Sequence, residues 1–392
     1  MKRYTYIIGM AIFMSFFLAN PIFGEEKKQD DLDLSEDAKA SILLDRDSGT
    51  ILYEKNVHEK LPPASMTKVM TMLLVMEAIK QEKLSLDEMV TVSERASSMG
   101  GSQVFLAEGE QMSVEDLIKA VAIASGNDAS VALAERIAGT EEAFVELMNE
   151  KVKELNLENT KFQNSSGLPA ADHYSTAYDM AIIAKELLKY EDIVKYTSIY
   201  EDYLRKGEEN EFWLVNTNKL VRFYPYVDGL KTGYTSEAKF CLTATAKKDD
   251  MRVVAVVMGA DTAKSRNAVT MNLIDYAFNH YESEKLFDQG ENVASLRHVQ
   301  SKKLKYDVKT SEQVSMLHKK GEKDAPFTTE VKMNKNISPP IEIGEQVGTL
   351  IVKKENETVV ESPLIVEENV ELASYFDLWK RSIKNIAKYN GM

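Results

Sequence analysis

Three short clusters in this chain carry side chains able to do acyl-transfer chemistry: Ser65-Met66-Thr67-Lys68, Ser125-Gly126-Asn127 and Lys231-Thr232-Gly233. A serine hydroxyl becomes a nucleophile only when a base stands ready to take its proton. Lysine can be that base if burial or a neighbouring cation lowers its pKa. Ser65 and Lys68 are three residues apart, so on a helix their side chains share one face. A helix N-terminus beside Ser65 adds unpaired N–H groups that favour developing negative charge. Lys231 is the candidate for the second cation. None of the clusters is decisive alone. Ser-x-x-Lys recurs at Ser236-Glu237-Ala238-Lys239, and Ser-x-Asn at Ser265-Arg266-Asn267. The second Ser-x-x-Lys reads as a turn leading into a strand, where the two side chains no longer share a face. Each cluster also has a plainer reading: Ser65 or Asn127-Asp128 as helix caps, and Lys231-Thr232-Gly233 as a strand end with a turn.

The elements that must position these groups are visible in the pattern. Ser41–Leu44 and Thr50–Tyr53 read as a hairpin around Asp45-Arg46-Asp47-Ser48-Gly49. Pro62-Pro63 stops the chain, and a helix is expected from Ser65 to Ile79, apolar on nearly every side and therefore buried. Helices are expected near 114–124, 128–138, 141–156 and 176–190. Lys239–Ala246 and Met251–Gly259 read as strands, and Ala263–Tyr281 as a helix. This order implies one α+β catalytic domain over 35–283. Residues 286–372 show short period-2 stretches divided by turns, as in a small all-β domain. Over 373–392, Tyr375, Phe376, Trp379, Ile383 and Ile386 share one helical face, with Asp377, Arg381, Lys384 and Lys388 opposite. That suits an interfacial membrane helix or, more plainly, a helix docked on the β domain.

Composition narrows the partners. With 48 basic and 62 acidic residues the net charge is −14, which argues against general binding to nucleic acid. Cys241 is the only cysteine, so no internal disulfide forms, and it reads as a small buried residue. The five histidines are scattered without ligand spacing, so neither a metal site nor a cofactor is expected. His173 reads either as bordering the cleft or as a turn histidine with a structural hydrogen bond. Residues 1–24 read as a secretory signal: Lys2 and Arg3, the apolar run Ile7–Leu18, then Pro21 and a small residue, Gly24. The chain is therefore expected to be exported.

The ordered set S-x-x-K, S-x-N, K-T-G resembles the penicillin-binding proteins and serine β-lactamases. It resembles most the low-molecular-weight D-alanyl-D-alanine carboxypeptidases, through Pro63–Lys68, Ala124–Ser130, His173–Ala177 and Val227–Thr235. Tyr234–Ala246 is most similar to the sporulation-associated type. The resemblance implies a transpeptidase-like catalytic domain, an antiparallel sheet with helices, followed by a β-rich domain and an amphipathic tail on the outer face of the membrane. It implies that Ser65 attacks the D-Ala-D-Ala carbonyl, Lys68 takes its proton and Ser125 relays one to the departing D-alanine. Asn127 would bond the substrate amide; Lys231, Thr232 and Arg266 would meet the substrate carboxylate beside Gly233. The N–H groups of Ser65 and Tyr234 would form an oxyanion hole. Peptidoglycan stem peptides would be substrates, and β-lactams covalent inhibitors. A β-lactamase is disfavoured because Val152 stands where the deacylating Glu of a Glu-x-x-Leu-Asn element belongs. A penicillin sensor should carry membrane spans, and no such stretch follows residue 24. An endopeptidase remains open.

Overall fold

The structure is a computed structural model that describes residues 33–322, 326–335 and 337–389. The expected signal at 1–24 lies outside the described residues. The first strands, β1 (Ala40–Asp45) and β2 (Ile51–Lys55), form the expected hairpin. A single 3-10 turn, Ala64–Thr67, follows the two prolines, and the central helix α1 (Lys68–Lys80) continues from it. The expected helix at Ser65 is therefore a tighter turn for its first four residues.

A small ribbon, β3 (Met89–Thr91) with β4 (Gln111–Ser113), brackets α2 (Glu94–Ser97). Then come α3 (Val114–Lys119), α4 (Asn127–Ala138), α5 (Glu141–Glu154), α6 (Ala177–Leu187) and α7 (Val194–Thr197). The continuous α-helix expected over 114–124 is only partly there. Residues Ala120–Ala124 widen into a π-helical turn.

A second ribbon, β5 (Glu201–Leu204) with β6 (Phe212–Val215), leads through α8 (Leu220–Phe223) into β7 (Val227–Thr235), β8 (Lys239–Lys248) and β9 (Met251–Ala260). The main sheet is antiparallel in the order β2-β1-β9-β8-β7, with α9 (Ala263–His280) behind it. Val254, Val256 and Met258 face the helical layer, where Met70, Leu73 and Ile183 pack. Val253, Ala255 and Val257 face α9 through Leu273 and Ala277. Burial on both faces is why β9 reads as an unbroken apolar run instead of an alternating one. Each such aliphatic side chain contributes about 2 kcal/mol of burial. α1 lies inside the helical layer, with Val69 to Val75 almost inaccessible to solvent. Lys68, at the start of that helix, is therefore carried into the interior.

The β-rich region holds β10 (Tyr281–Phe287), β11 (Asn292–Arg297), β12 (Lys305–Thr310), β13 (Val314–Lys319), β14 (Phe327–Met333), β15 (Gln346–Lys354) and β16 (Glu357–Ile365). Five of these form one sheet in the order β11-β12-β16-β15-β14, while β10 pairs with β13. The boundary read at 283–286 falls inside β10, because α9 ends directly in that strand with no turn residue between them. The last helix, α10 (Tyr375–Tyr389), starts at Ser374, whose hydroxyl accepts from the Asp377 N–H at 3.2 Å. Tyr375, Phe376 and Trp379 are exposed, while Arg381 of the same helix donates to the Val299 carbonyl at 3.2 Å. Among the described residues no helix is long and apolar enough to cross a membrane, and no metal-binding group of side chains occurs.

Candidate active site

The 3-10 turn sets Ser65 one helical step above Lys68, with Lys68 Nζ 3.2 Å from Ser65 Oγ. Lys68 is fully buried. Its amine donates to Asn127 Oδ1 at 2.6 Å and to the Ser166 carbonyl at 2.5 Å. Burial, then the charge of Lys231, push Lys68 well below the ordinary lysine range, against a smaller opposing pull from Asp128. A neutral amine has two N–H groups and one lone pair. Two oxygens that can only accept occupy the N–H groups, so the lone pair is left for the Ser65 hydroxyl.

The turn around Ser65 is held from behind by Gly167, which has φ +84°. A Cβ there would lie 1.9 Å from the Ala64 carbonyl oxygen. Gly167→Ala is therefore expected to destabilise the fold by about 2–4 kcal/mol. It should also slow acylation of Ser65 by a fluorescent penicillin. Thermal unfolding and the labelling rate check both effects.

The π-helical turn ends at Ser125 in the left-handed region, φ +65°. This brings the Ser125 side chain out of the helical stack to the cleft, where its hydroxyl is buried with no hydrogen-bond partner. Such a group costs about 1–3 kcal/mol unless something fills it. Asn127 opens α4, yet it is not a cap: it accepts from Lys68 and donates to the Gly100 carbonyl at 2.6 Å. Its neighbour Asp128 accepts from the Val104 and Leu106 N–H groups and so anchors the loop over the site.

The third cluster lies on β7, the edge strand. Gly233 packs against the Ser65 turn so tightly that a Cβ would meet the Pro63 carbonyl oxygen at 2.7 Å. Thr232 Oγ1 donates to Thr217 Oγ1 at 2.8 Å. Lys231 is buried, with Nζ 3.2 Å from the Thr232 carbonyl. Burial first, then Arg266, lower its pKa to about 7. Arg266, on α9, donates to the Cys241 carbonyl at 3.4 Å and to Asn267 Oδ1, and burial lowers its pKa to about 10.

A cavity of about 810 Å³ joins these parts; Ser65, Ser125, Thr232, Gly233, Tyr234 and Arg266 line it together with Ser102, Thr217 and Phe223. Lys68 and Asn127 sit beneath Ser65, bonded to each other. Ser102, Ser166 and Thr217 were not singled out in the sequence. Ser166 acts through its carbonyl, which leaves no mark on residue type. His173 borders a different cavity, of about 620 Å³. Its Nδ1 accepts from the Gln163 N–H, which places the proton on Nε2, 2.8 Å from Thr67 Oγ1. Burial pushes its pKa down to about 4, so it is a neutral brace behind the Ser65 turn. Cys241 is buried, and its thiol is pushed up to about 11 mainly by that burial. Of the repeated motifs, Ser265 serves the cap of α9 through Thr262, and Lys239 begins β8.

Residues 25–262 match the D-alanyl-D-alanine carboxypeptidase family, and 281–372 match the penicillin-binding protein 5 C-terminal domain. The chain is 50% identical over 391 residues to D-alanyl-D-alanine carboxypeptidase DacF of Bacillus subtilis, covering 99% of this chain and 100% of that one. Among solved structures, penicillin-binding protein 5 of Haemophilus influenzae superposes with a TM-score of 0.65 at 32% identity, over 86% of this chain and 98% of that one. Penicillin-binding protein D2 of Listeria monocytogenes, in its ampicillin-bound form, superposes with a TM-score of 0.57 at 31% identity, over 64% of this chain and all of that one. The transpeptidase-like α+β domain followed by an all-β domain, expected from the sequence, is the architecture shared with the Haemophilus protein, whereas the Listeria protein matches over only 64% of this chain. By sequence and by fold, the chain belongs to the D-alanyl-D-alanine carboxypeptidase family of penicillin-binding proteins.

Proposed function

We propose that this protein removes the terminal D-alanine from peptidoglycan stem peptides through an acyl-enzyme on Ser65. The observation that carries the reading is the bonding of Lys68: both N–H groups are engaged, and the nucleophile lies 3.2 Å away. Ser65 Oγ attacks the carbonyl between the two D-alanines while Lys68 takes its proton. The N–H groups of Ser65 and Tyr234 stabilise the oxyanion. Ser125, whose hydroxyl has no other partner, passes a proton to the departing amine. Lys231, Thr232 and Arg266 hold the substrate carboxylate, and Asn127 holds the substrate amide. Water then hydrolyses the ester. β-Lactams acylate the same serine, a reading supported by the ampicillin-bound relative. Release of free D-alanine from a D-Ala-D-Ala pentapeptide tests the activity. Mass spectrometry after penicillin treatment tests the site, and a label on any residue but Ser65 overturns it. Cleavage of crosslinked peptides in place of D-alanine release would make the protein an endopeptidase.

The signal read at 1–24 supports export, with residues 35–283 acting as the catalytic domain. The exposed Tyr375, Phe376, Trp379 and Ile383 on α10 support attachment of 373–392 to a membrane surface. Deleting 373–392 is expected to leave pentapeptide turnover unchanged while abolishing flotation with lipid vesicles. Flotation that persists would remove the tail from this role. The stretch Tyr234–Ala246 supports assignment to the sporulation-associated type, and expression confined to vegetative growth would overturn it.

A further inference from the structure

From the rim of the cleft we infer that the outer face of the β5–β6 ribbon binds the saccharide part of the substrate polymer. The inference rests on the carboxypeptidase reading, because it concerns the strand to which the stem peptide is attached.

Tyr203 and Trp213 stand directly opposite each other in the ribbon. They are 43% and 55% exposed, while their neighbours Leu204 and Leu214 are buried. Two large rings are thus held side by side on the outer face by an anchored inner face. The two-residue period of a strand places Trp213, Val215 and Thr217 on the same side. Pairing continues past the ribbon, since the Asn216 N–H donates to the Tyr200 carbonyl at 2.7 Å. Thr217 lines the cleft. Trp213 therefore lies about 13 Å along the strand from the cleft wall.

The ground between is equally particular. Glu201 faces Arg222 at 4.0 Å. The Arg222 guanidinium stacks over Tyr200 at 4.6 Å and approaches the Phe223 ring at 5.7 Å. Phe223 is 68% exposed and lines the cavity. An open strip thus runs from the Tyr203–Trp213 pair, past a charged donor and acceptor, to Phe223 at the cleft. A sugar ring presents apolar C–H faces that stack on aromatic faces, and hydroxyls that bond to charged groups. Rings and arginine also suit a protein partner, but the strip is continuous with the substrate cleft through Phe223, which favours the polymer that the cleft itself engages. The smaller cavity is lined by Asp172, His173, Tyr174 and Glu237 instead. The ring there, Tyr174, is covered by Lys60 Nζ at 4.6 Å from its centroid. The saccharide path is therefore on the Trp213 side.

The chain has two tryptophans, Trp213 and Trp379, so Trp379→Phe leaves Trp213 as the sole reporter in the full-length protein. Titration with N-acetylglucosamine oligosaccharides is expected to change its fluorescence saturably. The double substitution Tyr203→Ala/Trp213→Ala is expected to slow D-alanine release from glycan-linked pentapeptide about tenfold, from the loss of two stacking faces. Release from the soluble pentapeptide should stay within about twofold, because neither ring lines the cleft. Labelling by fluorescent penicillin counts folded active sites in each preparation, so misfolding is separated from lost binding. Equal effects on the two substrates, or a flat titration, overturn the saccharide site. If the wild-type protein releases D-alanine from neither substrate, the carboxypeptidase reading fails, and the titration alone decides the saccharide site.

Discussion

Ser65→Ala is expected to reduce D-alanine release by about 10⁴-fold or more, because removing a covalent nucleophile leaves only binding and electrostatic stabilisation to act on water. The same substitution should prevent covalent labelling by penicillin while still permitting reversible binding. Ser65 sits on a short turn whose backbone is braced by Gly167 and Gly233, and neither brace touches the hydroxyl. Thermal unfolding should therefore shift by no more than about 2 °C. Continuous assay of released D-alanine, with intact-protein mass spectrometry, gives both readings. Substantial hydrolysis by the alanine variant would remove Ser65 from the mechanism.

Lys231→Met is the second large effect, and its signature is a change in pH profile. Lys231 carries two jobs in the proposed mechanism: it meets the substrate carboxylate and its charge keeps Lys68 neutral. Losing a charged partner in a buried site slows kcat/KM by about 10²–10³-fold. Burial and Lys231 are the two causes that lower Lys68, so deleting one lets the Lys68 pKa rise. A base that holds its proton to higher pH becomes active only at higher pH. The acidic limb of the acylation profile should therefore move upward. A merely structural role for Lys231 would lower the rate without moving the limb.

Stability runs the other way. The folded-state pKa of Lys231 is about 7 against an ordinary 10.5. Between those values the unfolded chain binds more protons, so this residue's contribution to stability improves as pH rises through the window and is lost as pH falls. Methionine has no such dependence. The pH slope of the melting temperature between 7 and 10 should flatten in the variant.

The site was legible where side-chain identity and spacing carry the geometry. Ser65 and Lys68 share a face in a 3-10 turn much as they would in an α-helix, so the tighter turn did not spoil the reading. Lys231, Thr232 and Gly233 stood out as a short motif, and they lie on β7. Other parts were hidden for physical reasons. The Ser166 carbonyl that fixes the Lys68 rotamer is backbone, and any residue could supply it. The apolar spacing of 114–124 fits an α-helix as well as an α-helix with a π-helical end, so the left-handed Ser125 left no trace. The step from α9 to β10 at Tyr281 left no mark in the sequence, because the helix passes straight into a strand without the glycine or proline that usually marks such a change. For α10 the pattern gave the two faces but not which one meets solvent.

The crowding of Lys68, Lys231 and Arg266 has a practical consequence for handling the protein. Lys231 and Arg266 are both buried, and the charge of Arg266 disfavours that of Lys231, so a bound anion relieves the fold itself. Melting temperature then becomes a gauge of the buffer: acetate, phosphate or free D-alanine should each raise it with the logarithm of concentration once above its Kd. Released D-alanine bears the same carboxylate as the substrate, so accumulating product both protects the enzyme from heat and competes with the next peptide.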